Sequence, residues 1–237
     1  MKIKYLVLIS VLLFFSTFLV FYSFQKTASV SAEDNDDFIL FIVDYSNSMS
    51  EKLHGTTKIN MVLDTMQEIL PKIPKTQRVG LRVYGHKGGF ALASLACKAS
   101  SLVVPMIKNG APMIQNALFS LKPTGWTPIT YSLKEAVNND FAGVAGTKRI
   151  ILLSDGGENC DESPCDYITD LVKTRDDIKI DVIAFNIYDQ DANNQLKCTA
   201  LATSGKFYSV DTAAELADSL HNSLNIEKEV QGVIITH

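Results

Sequence analysis

Short, largely apolar runs recur along the chain, each halted by a polar residue or a glycine. Phe38–Val43 (FILFIV) stops at Asp44, Val79–Tyr84 at Gly85, and Arg149–Leu153 at Ser154-Asp155. Ile178–Phe185 and Phe207–Val210 follow the same pattern. Runs of this length are too short to span a bilayer and suit strands buried on both faces. Between them the spacing becomes helical. Ile59, Met61, Val62, Met66, Ile69 and Leu70 fall on one side of Lys58–Ile73, with Pro71 and Pro74 near its end. The same reasoning predicts helices over Ala111–Leu121, from Pro128 to about Asn138, and over Asp166–Lys173, Asn194–Thr203 and Ala213–Leu224. Leu102–Pro105 is predicted as a short edge strand, and Ser46–Gly55 and His86–Ala96 as loops. Strands alternating with helices predict an α/β fold: doubly wound, with a mostly parallel central sheet and helices on both faces. No internal repeat and no second folded domain is visible.

The first residues have a different pattern. Lys2 and Lys4 precede a nearly continuous apolar stretch, Leu6–Phe24, and Val30 and Ala32 fit a small-residue cleavage site before Glu33. Residues 1–32 are therefore expected to be either a signal peptide cleaved after Ala32 or an uncleaved membrane anchor with its lysines inside. No cysteine follows the apolar run to suggest a lipid attachment. Both readings export the body, to the periplasm or the cell surface, and any membrane contact is through this segment alone. Residues 33–37 form an acidic linker, 38–226 the folded domain, and 227–237 a tail containing Val-Ile-Ile-Thr.

Composition narrows the function classes. The chain has 237 residues, 46% hydrophobic and 20% charged, which excludes general disorder. Its net charge is −4, and since Lys2, Lys4 and Lys26 lie in an acid-free leader, the body is more acidic still. That argues against nucleic acid as the main partner, because phosphate binding needs a basic surface. Cys97, Cys160, Cys165 and Cys198 all lie in the body. An even count in an exported chain favours disulfides. Of three possible connectivities, the short spacing and Pro164 favour Cys160 with Cys165, leaving Cys97 with Cys198. A four-cysteine zinc site is the competing reading, weakened because only one short spacing exists.

Two apolar strands end directly in an aspartate, Asp44 and Asp155. Sites in open parallel sheets form beyond the carboxyl ends of the strands. After Asp44 come Ser46 and Ser48, at alternate positions that point the same way in an extended segment. Thr127, in Gly-Trp-Thr-Pro, adds a third hydroxyl at the mouth of a helix. Three hydroxyls and two carboxylates are hard oxygen donors suited to Mg²⁺, Mn²⁺ or Ca²⁺. Such a weakly coordinated cation has room for one more oxygen, which a carboxylate from a partner would supply. Each piece also has a plainer use: Asp44, Ser46 and Ser48 as turn and cap residues, Thr127 as a helix cap, Asp155 as a turn. Their joint placement at strand ends favours the metal.

Asp-Tyr-Ser-Asn-Ser at Asp44, Ser46 and Ser48, the threonine at Thr127 and Ser-Asp-Gly-Gly at Asp155 together resemble the von Willebrand factor type A domain with its metal-ion-dependent adhesion site. The resemblance covers roughly Asp37–Leu224. The wording of Gly80–His86, Gly125–Thr130 and Leu152–Cys160 is similar to exported bacterial members. It implies a Rossmann-like fold in which Ser46, Ser48 and Thr127 touch the metal directly or through water, while Asp44 and Asp155 act mainly through water. It also implies a protein partner presenting Asp or Glu. Trp126 is bulkier than the usual neighbour of that threonine and is expected to narrow access.

Other candidates carry less. Tyr84 and His86 end a strand on the same rim; contact with a ligand is one reading, and an exposed loop is the expectation. Glu158 and Asn159 are placed to brace the site or to solvate its loop. Asp189–Asn193 imitates a calcium loop but lacks its glycine and its final glutamate, so it reads as a turn and helix start. His54, His221 and His237 are expected at the surface. No nucleophile elbow, phosphate loop or zinc-protease helix occurs, and the second acid of an aspartyl phosphatase is replaced by Ser46. The chain is therefore expected to be no enzyme but a metal-dependent binding or adhesion module. The alternatives are a structural or assembly subunit of an envelope complex and, less favoured, a metal-assisted hydrolase.

Overall fold

A computed structural model of the chain describes residues 38–88 and 92–226. The signal or anchor segment, the acidic linker, the tail and His237 lie outside the described residues.

Six strands form the central sheet in the order β5-β4-β1-β6-β7-β8. They are β1 (Phe38–Asp44), β4 (Arg78–Tyr84), β5 (Ser100–Lys108), β6 (Lys148–Ser154), β7 (Ile178–Phe185) and β8 (Phe207–Val210). All neighbours are parallel except β4 and β5. The predicted doubly wound, mostly parallel sheet is therefore the one observed. A two-stranded ribbon, β2 (Lys52–Leu53) with β3 (Thr56–Thr57), precedes the first helix.

Period-two alternation splits the core into two layers. Phe41, Val43, Leu81, Val83, Ile151 and Leu153 face α1 (Lys58–Ile69), α3 (Ala111–Ser120) and α7 (Ala213–Leu224). Leu40, Ile42, Ile150, Leu152, Ile180 and Val182 face α4 (Ile129–Glu135), α5 (Pro164–Leu171) and α6 (Gln190–Ala202). Burial on both faces explains why the strands read as unbroken apolar runs. Among the described residues no helix is long and apolar enough to cross a membrane.

Several boundaries differ from the sequence expectation. The edge strand runs over Ser100–Lys108 rather than Leu102–Pro105 and is antiparallel. Among its described residues the segment before it holds a single helical turn, α2 (Ala93–Ala96), too little for a crossover to a parallel neighbour. Pro105 is tolerated because β5 is an edge. The helix expected to reach Ile73 stops at Ile69 and tightens into a 3₁₀ turn around Pro71, which lacks the N–H the α-ladder needs. The helix after Pro128 changes to a π-turn over Ala136–Asp140. Thr127 does not cap it: the chain enters at Pro128 without a side-chain cap. Asp189 does cap α6, accepting from Ala192 N, so the calcium-loop look-alike is a helix start.

Chain order places β4 on one side of β1 and β6 on the other. The strand order reverses there, so the crevice between β1 and β6 at their carboxyl ends is the place where this fold opens a site.

Candidate metal centre

Asp44 closes β1 and is fully buried. Its Oδ1 accepts the Ser46 N–H at 2.6 Å, and its Oδ2 accepts Ser154 Oγ at 2.7 Å. The chain then enters a 3₁₀ turn, Asn47–Ser50, that brings Ser46 Oγ and Ser48 Oγ to 3.0 Å of each other. Ser48 Oγ donates across the crevice to Asp155 Oδ1 at 2.7 Å. Asp155 follows the last residue of β6, and its other oxygen accepts Lys58 Nζ at 3.0 Å.

The third stretch arrives by its backbone. Gly125 pairs with Ser46 in a parallel bridge, and Asn47 N donates to Gly125 O at 2.9 Å. Thr127 N donates to Asn159 Oδ1 at 2.8 Å, and Thr127 O accepts from Asn159 N. Those bonds use backbone atoms, so they do not consume the Thr127 hydroxyl. Glu158 extends the brace, taking Thr130 N at 2.6 Å and Cys160 N at 2.9 Å. Gly85, at φ +70°, lets the β4 end pass against this layer, because a side chain there would run into the Ser46 backbone.

The structure thus joins Ser46, Ser48 and Asp155 directly, Asp44 through the Ser46 N–H, and the Thr127 segment through Gly125 and Asn159. Trp126 stands beside Thr127 at 42% exposure. Glu158 and Asn159 brace the site rather than merely solvating its loop.

Two carboxylates sharing a buried layer repel each other. Burial, then the Asp155 charge, pushes Asp44 up to about 6. Burial alone would lower Lys58, but hydrogen bonds to Glu51 and Asp155 raise it above its ordinary range. Hard oxygens, two buried acids and hydroxyls within hydrogen-bond reach of one another suit a divalent cation. Among the described residues no group of three or more His, Cys, Asp and Glu is placed to hold a metal, so the candidacy of this centre rests on its hydroxyls together with its two acids.

Sequence reasoning missed three participants. Tyr84, expected in an exposed loop, is fully buried with its hydroxyl donating to Ser154 Oγ at 3.0 Å. It is the register partner of Asp44 on the adjacent strand. Burial, then the Asp44 charge, holds its hydroxyl well above the usual phenol range. Ser154 was legible only as the residue before Asp155. Lys58 is separated from Asp155 by 97 positions, and nothing in a linear pattern signals their meeting. His86 lies in the loop after β4 as expected but is half-buried; burial, then Lys87, lowers it to about 4. His221, expected at the surface, is buried on α7.

The cysteines pair differently from the expectation. Cys97 bonds Cys160, and Cys165 bonds Cys198; none is free among the described residues. Cys160 lies on the loop after Asp155, facing the α2 turn. Cys165 lies in the first turn of α5, which packs along α6 and its Cys198. The helix start at Pro164 therefore separates the two close cysteines instead of joining them, and the zinc alternative falls with the thiols engaged.

The family model for the von Willebrand factor type A domain matches residues 39–222. The protein YwmD of Bacillus subtilis (strain 168), itself uncharacterised, is 29% identical over 212 residues, 88% of this chain and 92% of its own. The structure of proximal thread matrix protein 1 from the mussel byssus, with zinc occupying its adhesion-site motif, superposes with a TM-score of 0.60 at 17% identity. That likeness covers 80% of this chain but 45% of the mussel chain. The von Willebrand factor domain of the type V pili tip protein Mfa5 from Porphyromonas gingivalis gives 0.57 at 17% identity, covering 81% of this chain and 97% of that one. At such identities these two structures share the fold.

Proposed function

Because the chain belongs to the von Willebrand factor type A domain family, we propose that it is an exported binding module whose centre engages a protein partner through a divalent cation. Ser46, Ser48 and Thr127 supply neutral hydroxyl oxygens, and Asp44 and Asp155 supply charge. The cation is Mg²⁺, with Mn²⁺ or Ca²⁺ as substitutes. When bound, it supplies a Lewis-acid position that an Asp or Glu of the partner completes. The protein's own part is to hold the donors ready. Ser154 and Tyr84 orient Asp44 from below, and Asn159 and Glu158 pin the Thr127 segment from the side. Binding rather than turnover is the reading we propose, because every named side chain has a use as a ligand or as a brace for one.

The observation that carries this reading is the convergence of Ser46 and Ser48, from the turn after β1, with Asp155, from the end of β6, onto one point beyond the sheet. Export rests on the leader pattern and agrees with two disulfides in the body. The decisive experiment is a thermal melt with and without Mg²⁺ or Mn²⁺, paired with an envelope pull-down with and without chelator. Metal should raise the melting temperature and retain a partner, and Asp44→Ala should abolish both effects. An Asp44→Ala protein that responds to metal like the parent refutes the centre. Amino-terminal sequencing of the exported protein decides between cleavage after Ala32 and a retained anchor, the arrangement that suits an assembly subunit.

A further inference from the structure

Lys58 is the first residue of α1, and its side chain is only 9% exposed. Two features make this an expensive place for a cation. Lysine is seldom buried without a partner, and the amino end of a helix repels positive charge. The compensation comes from Asp155 Oδ2 at 3.0 Å and Glu51 Oε2 at 2.9 Å. Asp155 is thus divided: one oxygen takes the Ser48 hydroxyl on the metal side, and the other takes the ammonium. Glu51 is 65% exposed, so water screens its share of the pairing. The buried charges of the centre are two carboxylates and one ammonium, which leaves a single negative charge for a divalent cation to meet.

We propose that Lys58 is a tethered counter-cation that weakens divalent-metal binding at Asp155 and leaves the metal-loaded centre electropositive, so that metal and an anionic ligand strengthen each other's binding. The inference rests on the metal-binding reading above and adds to it a residue outside the donor set. Like charges sharing one carboxylate in a dry layer repel far more than they would in water. The same excess charge attracts an anion, and by linkage an anion that favours bound metal is itself favoured by it to the same degree. Lys58 also keeps Asp155 paired before metal arrives, which preserves the position of its oxygens.

The test measures Mn²⁺ affinity of the exported protein by the paramagnetic resonance of free Mn²⁺. The parent is compared with Lys58→Met, which keeps the shape and removes the charge, and Lys58→Arg, which keeps the charge. Each is measured in chloride and in saturating acetate of equal ionic strength. Lys58→Met should bind Mn²⁺ about tenfold tighter, and Lys58→Arg should stay within about threefold of the parent. Acetate should tighten Mn²⁺ binding in the parent more than in Lys58→Met. A folded Lys58→Met protein that binds Mn²⁺ no more tightly than the parent overturns the proposal, as does a parent indifferent to acetate. Should Lys58→Met fail to fold by circular dichroism, Glu51→Gln carries the test. Freeing Lys58 from its exposed partner should weaken Mn²⁺ binding about two- to threefold, and an unchanged or tighter affinity overturns the idea. A parent that binds no Mn²⁺ overturns the metal reading and this inference together. A parent that binds while Lys58→Met is unchanged overturns the lysine's role alone.

Discussion

Ser48 Oγ donates to Asp155 Oδ1 at 2.7 Å, joining residues 107 positions apart across the mouth of the sheet. This bond ties the turn after β1 to the loop after β6, and both of its atoms belong to the proposed donor set. Ser48→Ala should therefore do two things. It leaves one oxygen of a buried carboxylate unsatisfied, at a cost of about 1–3 kcal/mol read by chemical denaturation. It also removes a proposed ligand, so the Mn²⁺-induced rise in melting temperature should shrink sharply. A variant that loses stability yet keeps the full metal response would make Ser48 a structural residue only.

The disulfide between Cys97 and Cys160 anchors the loop that carries Glu158 and Asn159, and those two residues hold the Thr127 segment. Replacing both cysteines with serine should cost about 2–4 kcal/mol, the usual range for a crosslink closing a long loop. The metal response should weaken as well, because the brace on Thr127 loosens. Asn159→Ala separates the two effects: it removes the acceptor of the Thr127 N–H without touching the crosslink. It should weaken Mn²⁺ binding with a stability loss of only about 1 kcal/mol. Equal metal affinity in all three proteins would disconnect the loop from the centre.

The five proposed donors stand out in the sequence because each belongs to a local pattern: an apolar strand ending in an acid, hydroxyls at alternate positions, a hydroxyl before a proline. The sheet was legible for the same reason, since strands buried on both faces write themselves as apolar runs. What escaped was created by register and by crossing of the chain. Tyr84 reaches Asp44 because β1 and β4 align those residues side by side, a fact absent from either strand alone. Lys58 reads as the polar start of an amphipathic helix until the crevice closes over it. The cysteine pairing departs from sequence proximity because α5 begins at Pro164, between the two close cysteines. The edge strand extends past both ends of the expected Leu102–Pro105, because an edge position needs no N–H from Pro105.

Arg82 and Asp140 form a buried bidentate ion pair away from the centre. Nε and Nη2 each lie 2.7 Å from a carboxylate oxygen, and both side chains are 4% exposed. The pair links β4 to the π-turn after α4. Removing one partner strands a buried charge, so Asp140→Asn should destabilise the protein by about 3–5 kcal/mol. The Mn²⁺-induced shift in melting temperature should survive, which makes this variant the control for loss of stability without loss of the centre. A lost metal response here would mean that global destabilisation alone removes it.

Acid titration of the chelator-treated protein should reveal two opposed contributions. Asp44 is raised from 3.8 to about 6 in the folded state, by burial first and by Asp155 next. Between those values the folded state holds a proton that the unfolded state has released, so this group's contribution to stability falls as pH rises through the window. The full change is about 3 kcal/mol for a buried group. His86 works the other way: burial, then Lys87, lowers it from 6.5 to about 4. There the unfolded state binds the proton first, so stability is lost as pH falls from 6.5 toward 4. Since His86 is only half-buried, solvent screening cuts its share to about 1–2 kcal/mol. In the parent the two slopes partly cancel. His86→Gln should expose the Asp44 slope, with stability rising by about 2–3 kcal/mol as pH drops from neutral to about 4. Asp44→Asn should expose the His86 slope, with stability falling over the same range. Because a proton on Asp44 competes with a cation, the parent's Mn²⁺ response should also fade below about pH 6. Denaturation curves at a series of pH values check all three; parallel curves for parent, His86→Gln and Asp44→Asn would remove both groups from the acid response.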